Sequence, residues 1–284
     1  MEIVKEISIG ELRDKIFDSN TLHSIGAYCP DRKKNPNIQK HITSFNIPTN
    51  ITKLGNYCFS HCSNLTSITV PDSIKCIGVN CFSECDNLSL ITIPDSVTYI
   101  GKECFYDCHN LTSISIPISV QYIRDGCFYK CYNLRSITIP NSVTHIGKEC
   151  FYVCYNLRSI TIPDSVTYIS DFCFAQCHNL TSITIPDSIK CIDDHCFDSC
   201  YSLRSIIIPD SVTYIGKECF YRCSNLTSIT LGTSIEHIGL DCFCGCEKLH
   251  SIYIPESKMY LVDEIIFKIP IRCKTIIYKP NNNV

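Results

Sequence analysis

Apolar residues return at fixed phases of a 23-residue period along most of this chain. Between 111 and 131 they are Leu111, Ile114, Ile116, Val120, Ile123, Cys127, Phe128 and Cys131, separated by polar and charged residues. Leu111, Ile114 and Ile116 keep the L-x-x-L-x-L spacing of a short strand whose alternate side chains point inward. One unit earlier, Val97 and Ile100 add two inward groups ahead of Gly101, where the chain can turn. Cys104, Phe105, Cys108 and Leu111 then fall at i, i+1, i+4 and i+7, the spacing of one buried helical face. The pattern therefore predicts a strand and a short helix in every unit.

Proline marks the register. Pro48, Pro71, Pro94, Pro117, Pro140, Pro163, Pro186, Pro209 and Pro255 keep one phase, with Gly232 in the single vacancy. One such unit buries too little apolar surface to fold alone, so neighbours must share faces, as in a solenoid. The expected fold is an α/β leucine-rich-repeat solenoid, curved, with parallel strands on its concave face and short helices on its convex face. The expected organisation is one continuous domain: a cap over 1–41, repeats over 42–255 in nine complete turns plus a tenth strand, and a second cap over 256–284. Ile9, Leu12 and Ile16 carry a short helical pattern in the first cap. In the second, CKTIIYKP supplies a last strand one residue late.

The phrase IPDSVTYIGKECFYDCHNLTSI, residues 93–114, resembles the BspA-type leucine-rich repeat, and the likeness runs from 42 to 255. That family has 23-residue units and includes bacterial surface proteins and large sets of protist proteins; the resemblance points to a protist member. It usually has alanine before the phenylalanine, where this chain has cysteine in all nine turns. The resemblance implies binding rather than catalysis. For secreted bacterial members it implies adhesion to host, matrix or bacterial surfaces. Cytosolic leucine-rich-repeat proteins of similar plan regulate phosphatases, small GTPases or cytoskeletal proteins, which makes another protein the implied partner.

Composition narrows the classes. The net charge of the 284 residues is -3, with no basic excess to attract phosphates, so nucleic acid is not the expected partner. The first twenty residues mix acidic and basic groups without an apolar core segment, and no later stretch approaches the ~20 apolar residues of a membrane span. A cytoplasmic or nuclear location without membrane insertion is expected, with an exported surface form as the alternative.

The chain has 23 cysteines, and eighteen form two ladders: Cys58, Cys81, Cys104, Cys127, Cys150, Cys173, Cys196, Cys219 and Cys242, then Cys62, Cys85, Cys108, Cys131, Cys154, Cys177, Cys200, Cys223 and Cys246. At inward phases they read as small apolar fillers with inert thiols. Stacked helices ~8–10 Å apart would hold them beyond disulfide reach. A structural zinc site converges four ligands, whereas a ladder strings its thiols along a line, so no metal or cofactor is expected. Cys29, Cys76, Cys191, Cys244 and Cys273 stand outside the ladders. Cys76, Cys191 and Cys244 occupy columns otherwise held largely by tyrosine and are expected to be exposed. So many free thiols suit a reducing compartment.

No catalytic constellation emerges. The glycines mostly mark repeat turns, not a phosphate loop. His61, His109, His178 and His195 each adjoin a ladder cysteine, but adjacent residues on a helix do not face each other. Asp72, Asp95, Asp164, Asp187 and Asp210 form one column, read as turn caps. Five N-L-S/T triplets, at Asn64, Asn87, Asn110, Asn179 and Asn225, share a phase with Asn133 and Asn156 and read as an asparagine ladder bonding the backbone.

Binding is expected where surface columns break their own pattern. The strand face is a Ser/Thr surface, interrupted by Arg135, Arg158, Arg204 and His250 in one column, Leu90 in a second, and Ile207 and Tyr253 in a third. Arginine beside exposed apolar and aromatic groups is the composition of an interaction surface. Ile118 in the aspartate column and Phe172 in a glutamate column are further apolar departures. Tyr106, Tyr129, Tyr132, Tyr152, Tyr155, Tyr201 and Tyr221 form a belt on the other side, where self-association is possible. The sequence reads as a non-enzymatic interaction scaffold; the alternative is a surface or secreted adhesin.

Overall fold

The computed structural model describes residues 42–258 and 260, and the backbone of 275–279. The expected helix through Ile9, Leu12 and Ile16, and both Cys29 and Cys273, lie outside the described residues.

Each 23-residue unit makes one turn of a parallel β-solenoid. One ladder is built from three-residue strands, from Ser67–Thr69 to Ser228–Thr230, and lengthens to five residues in Ser251–Pro255. Paired neighbours run parallel one repeat apart, with Ile68 opposite Ile91 and Ile229 opposite Ile252, and the pairing is interrupted after Leu90–Thr92, Ser136–Thr138 and Ser182–Thr184. The middle isoleucine points inward and its two neighbours outward, as the strand period requires. The last strand, Thr275–Lys279, puts Thr275 opposite Ser251, one residue late as the sequence predicts.

A second ladder follows in each turn, where the sequence had suggested only inward apolar groups. Two-residue strands such as Cys76–Ile77, Tyr99–Ile100 and Tyr214–Ile215 bury isoleucine and turn a polar or aromatic residue outward.

The predicted helices are absent among the described residues, so the α/β expectation gives way to an all-β solenoid. The C-F-x-x-C segment is instead a run of tight turns, with two residues per unit at positive φ: Glu103 (52°) and Asp107 (59°), Glu149 (54°) and Val153 (64°). Left-handed residues at every fourth position interrupt any α-helix. Amides then alternate in direction. Those of Glu103, Phe105 and Asp107 donate to the next turn's Asp125, Cys127 and Tyr129 carbonyls at 2.8–3.0 Å, while those of Tyr106 and Cys108 donate three residues back.

These axial bonds change the cysteine argument. Phe59 donates to the Cys81 carbonyl at 2.7 Å, so successive turns lie at strand spacing, ~4.8 Å, and not at helix spacing. Distance therefore does not keep neighbouring ladder thiols apart; burial and protonation keep them inert. All eighteen are buried. The second ladder is also more than filler: Cys85, Cys108 and Cys131 donate their thiols to the Phe59, Phe82 and Phe105 carbonyls at 3.0–3.1 Å, a contact repeated up to Cys246 on Phe220. Beside them, phenylalanines from Phe59 to Phe243 stack in one column, with centroids 5.3–5.8 Å apart.

Candidate functional site

The three-residue strands present a face of hydroxyl groups, and in the column just before them several hydroxyls are tied to the backbone. Ser89, Thr181 and Thr227 turn theirs back to the preceding turn's carbonyl, on Thr66 (3.1 Å), Arg158 (3.2 Å) and Arg204 (2.9 Å). Arg135, Arg158 and Arg204 are exposed, and among the described residues their guanidinium groups make no ion pair. Arg135 and Arg158 occupy successive turns, ~5 Å apart, and Arg204 lies two turns further on, at ~10 Å.

Ile207, at the end of the strand that follows Arg204, is 69% exposed and stands in register with Thr230, which faces Tyr253 in turn. A groove of about 650 Å³ opens here, lined by Ile207, Pro209, Leu231 and Pro255 on its apolar side and by Asp187 and Asp210 on its polar side. Gly232, the one vacancy in the proline register, lets the backbone approach: a Cβ there would meet the Pro209 carbonyl oxygen at 2.2 Å. The sequence showed that vacancy but not its consequence. It also gave no weight to Asp187 and Asp210 as groove residues, or to Leu240, 64% exposed.

The other expected site residues do not join this cluster. Leu90 (56% exposed) stands two turns before Arg135, and Ile118 (65%) lies on the corner after the strand, its amide bonded to Asp95 at 3.1 Å. His250 is exposed and shares a 2.8 Å hydrogen bond with Ser251; Tyr253 is half-buried. Phe172 belongs elsewhere: it is half-buried in the turn segment and stacks on His195, centroids 4.4 Å apart.

The tyrosine belt is likewise engaged in stacking. His109, Tyr132, Tyr155, His178 and Tyr201 form one column at 4.3–5.1 Å. The histidines beside ladder cysteines point to rings and carboxylates: His109 meets Asp107 at 2.6 Å and His61 meets Glu84 at 2.8 Å. Asn87, Asn110, Asn133, Asn156 and Asn179 do form a ladder, but the side-chain amides of the last four donate to the preceding side-chain oxygen at 3.0–3.3 Å instead of to the backbone. Asn225 instead reaches a backbone carbonyl, that of Tyr201, at 2.7 Å. Asp95 and Asp210 cap the next turn's amides, as the sequence suggested.

Of the three thiols expected at the surface, only Cys244 is exposed; Cys76 and Cys191 are half-buried. Burial, then a 3.0 Å hydrogen bond to Asp193, pushes the Cys191 thiol up to about 12. No group of three or more His, Cys, Asp or Glu residues able to hold a metal ion occurs among the described residues. No helix among them is long and apolar enough to cross a membrane.

No curated protein matches the chain. Among solved structures it is similar to a leucine-rich cell surface protein from Faecalibacterium prausnitzii, at 29% identity over 85% of this chain and 80% of that one, TM-score 0.53. It is also similar to leucine-rich repeat proteins from Eubacterium ventriosum, at 22% identity over 86% and 74%, TM-score 0.52, and from Bacteroides ovatus, at 24% over 84% of each chain, TM-score 0.45. The pattern of the BspA type leucine-rich repeat region matches residues 37–158 and 144–271, in six copies. Matched over most of its length and wound as a solenoid of the same period, the chain belongs to the BspA-type leucine-rich repeat family.

Proposed function

We propose that this protein is a non-enzymatic interaction scaffold that binds an acidic or amphipathic protein surface on its three-residue strand face. The observation that carries this reading is the set of Arg135, Arg158 and Arg204, cations without an ion pair among the described residues, in a column where Thr66, Ser89, Thr181 and Thr227 are tied to the backbone. Ile207 and the groove beside it add the apolar part of such a contact; His250 and Tyr253 do not line that groove. Leu90, Ile118 and Phe172 fall outside the proposed centre. A phosphatase, small GTPase or cytoskeletal protein is the class of partner that the family plan suggests. Free ladder thiols and an exposed Cys244 favour a reducing, cytoplasmic or nuclear setting.

The test is capture from source-cell lysate under reducing conditions, comparing the natural chain with a triple Arg135→Glu, Arg158→Glu, Arg204→Glu variant. A protein held by the first and lost from the second is the expected result. Identical retention by both removes the arginine column from the interface.

A second reading, a surface or secreted adhesin, is favoured by the likeness to the F. prausnitzii cell surface protein. It requires glycans on the N-L-S/T asparagines or oxidised cysteines in protein taken from the source cell. Asn110 already donates its amide to Asn87 at 3.2 Å, so a glycan there would remove a ladder donor.

A further inference from the structure

The second ladder carries an outward column of rings that the strand-face reading does not use. Tyr99, Tyr122, His145 and Tyr168 stand in successive turns, as do Tyr214 and His237. Tyr122 stacks on His145 at 4.9 Å, His145 meets Tyr168 at 5.5 Å, and Tyr214 stacks on His237 at 5.0 Å. Between Tyr168 and Tyr214 the ring is missing. Cys191 occupies that place, in direct register with Tyr168 on one side and Tyr214 on the other.

The gap has the dimensions of one planar group. Two turns separate Tyr168 from Tyr214 by ~10 Å, so a flat group midway lies ~5 Å from each ring, the interval of the column itself. Because Cys191 is half-buried and small, the space above it is open to solvent.

The molecule shows what this column accepts. Arg124 lays its guanidinium over the Tyr99 ring at 4.6 Å, with Tyr122 at 5.9 Å. Three turns later the residue at Arg124's phase is Asp193, beside Tyr168 and Cys191. The charge that completes the arrangement at one end is thus inverted at the other. Asp171 and Asp194 sit in the same neighbourhood, and both act on the Cys191 thiol after burial and the Asp193 contact. Lys148 reaches Asp171 at 2.5 Å, Asp194 accepts the Lys217 amide at 2.7 Å, and the Lys217 side chain is paired with Glu218 at 3.0 Å. Among the described residues no lysine or arginine side chain is paired with Asp193 or Asp194, which stand beside the gap.

We propose that the gap at Cys191 is a slot for a planar cation, the guanidinium of an arginine presented by a partner polypeptide. It would stack between Tyr168 and Tyr214 as Arg124 stacks on Tyr99, with Asp193 and Asp194 supplying the countercharge. The slot lies on a different face from the Arg135, Arg158 and Arg204 column, so it stands or falls independently of the strand-face reading.

The probe is N-acetyl-arginine amide, titrated into the full chain carrying ring-labelled tyrosine and followed by NMR, with the lysine analogue as control. Saturable shifts confined to Tyr168 and Tyr214 are expected, with a dissociation constant on the order of a few millimolar. Cys191→Ala should leave them, Cys191→Tyr should abolish them by filling the slot, and Asp193→Asn should weaken binding roughly fivefold. Unmoved Tyr99 and Tyr122 resonances report that the Cys191→Tyr chain keeps its ladder; should it not fold, Asp193→Asn decides alone. Shifts that never saturate, that survive Cys191→Tyr, that are unchanged by Asp193→Asn, or that the lysine analogue reproduces at equal affinity would overturn the proposal.

Discussion

A buried thiol keeps its proton because its thiolate has no water and little positive charge to stabilise it. Burial pushes Cys127 from an ordinary 9.0 up to about 12, and burial with neighbouring Cys58 does the same to Cys62; Cys81, Cys104 and Cys150 are also pushed well above 9.0. In the unfolded chain these thiols ionise near 9.0, so between about 9 and 12 the folded state binds more protons than the unfolded one. Stability therefore falls as pH rises through that window, by up to about 1.4 kcal/mol per thiol for each pH unit. Below the unfolded value the ladder is indifferent to pH. Summed over many thiols, the loss exceeds a typical folding stability of about 5–15 kcal/mol within roughly one unit above 9. Circular dichroism under reducing conditions should show cooperative alkaline unfolding between pH 9 and 10.5; a chain still folded at pH 11 would show that the thiols ionise in place.

At the scale of one element, two glycines separate the demands of the turn from those of the stack. Gly126 sits at φ 58°, in a position that residues with side chains hold in the neighbouring units, and a Cβ there meets Glu103 Cγ at 3.1 Å and Tyr129 Cβ at 3.8 Å. Gly147 has ordinary φ, but a Cβ would lie 2.4 Å from the Asp125 backbone nitrogen, and its own amide is bonded to the Ile123 carbonyl at 2.8 Å. Gly126→Ala should cost about 1 kcal/mol, the left-handed penalty, and Gly147→Ala more than about 2 kcal/mol, because the preceding turn must move. Urea midpoints of the two variants check the order, and its reversal would remove the steric account. The same geometry explains where the sequence misled. Apolar spacing of i, i+1, i+4 and i+7 belongs equally to a helix and to a chain of turns, and Glu103 or Val153 carries no residue-level sign of a positive φ. The strand of Leu111, Ile114 and Ile116 was legible because its alternation has no rival at that length. The second ladder was not, because two-residue strands such as Tyr99–Ile100 exist only through pairing with their neighbours.

For the molecule as a whole, repetition makes departures readable and leaves their grouping unread. Arg135, Arg158, Arg204 and Ile207 stand out against their own columns in the bare sequence, yet only the turn-by-turn spacing separates the Arg204–Ile207 groove from distant Leu90 and Ile118. The slot at Cys191 needed ring stacking along the axis, which no single unit contains. The same axial coupling governs unfolding. Phe151 packs between Phe128 and Phe174 at 5.6 and 5.4 Å, while Phe243 meets a described phenylalanine, Phe220, on one side, at 5.8 Å. Truncating a buried phenylalanine to alanine costs about 3–5 kcal/mol at its own site. In a nearest-neighbour array that loss is felt differently by position. Phe151→Ala should break cooperativity, giving two unfolding steps and fast amide exchange in the turns on both sides of residue 151. Phe243→Ala should lower protection only in the last turns and leave a single main transition. Hydrogen exchange read by mass spectrometry distinguishes them. Equal, uniform loss of protection in both variants would mean that the nine turns fold as one indivisible core, and that the stack transmits stability end to end.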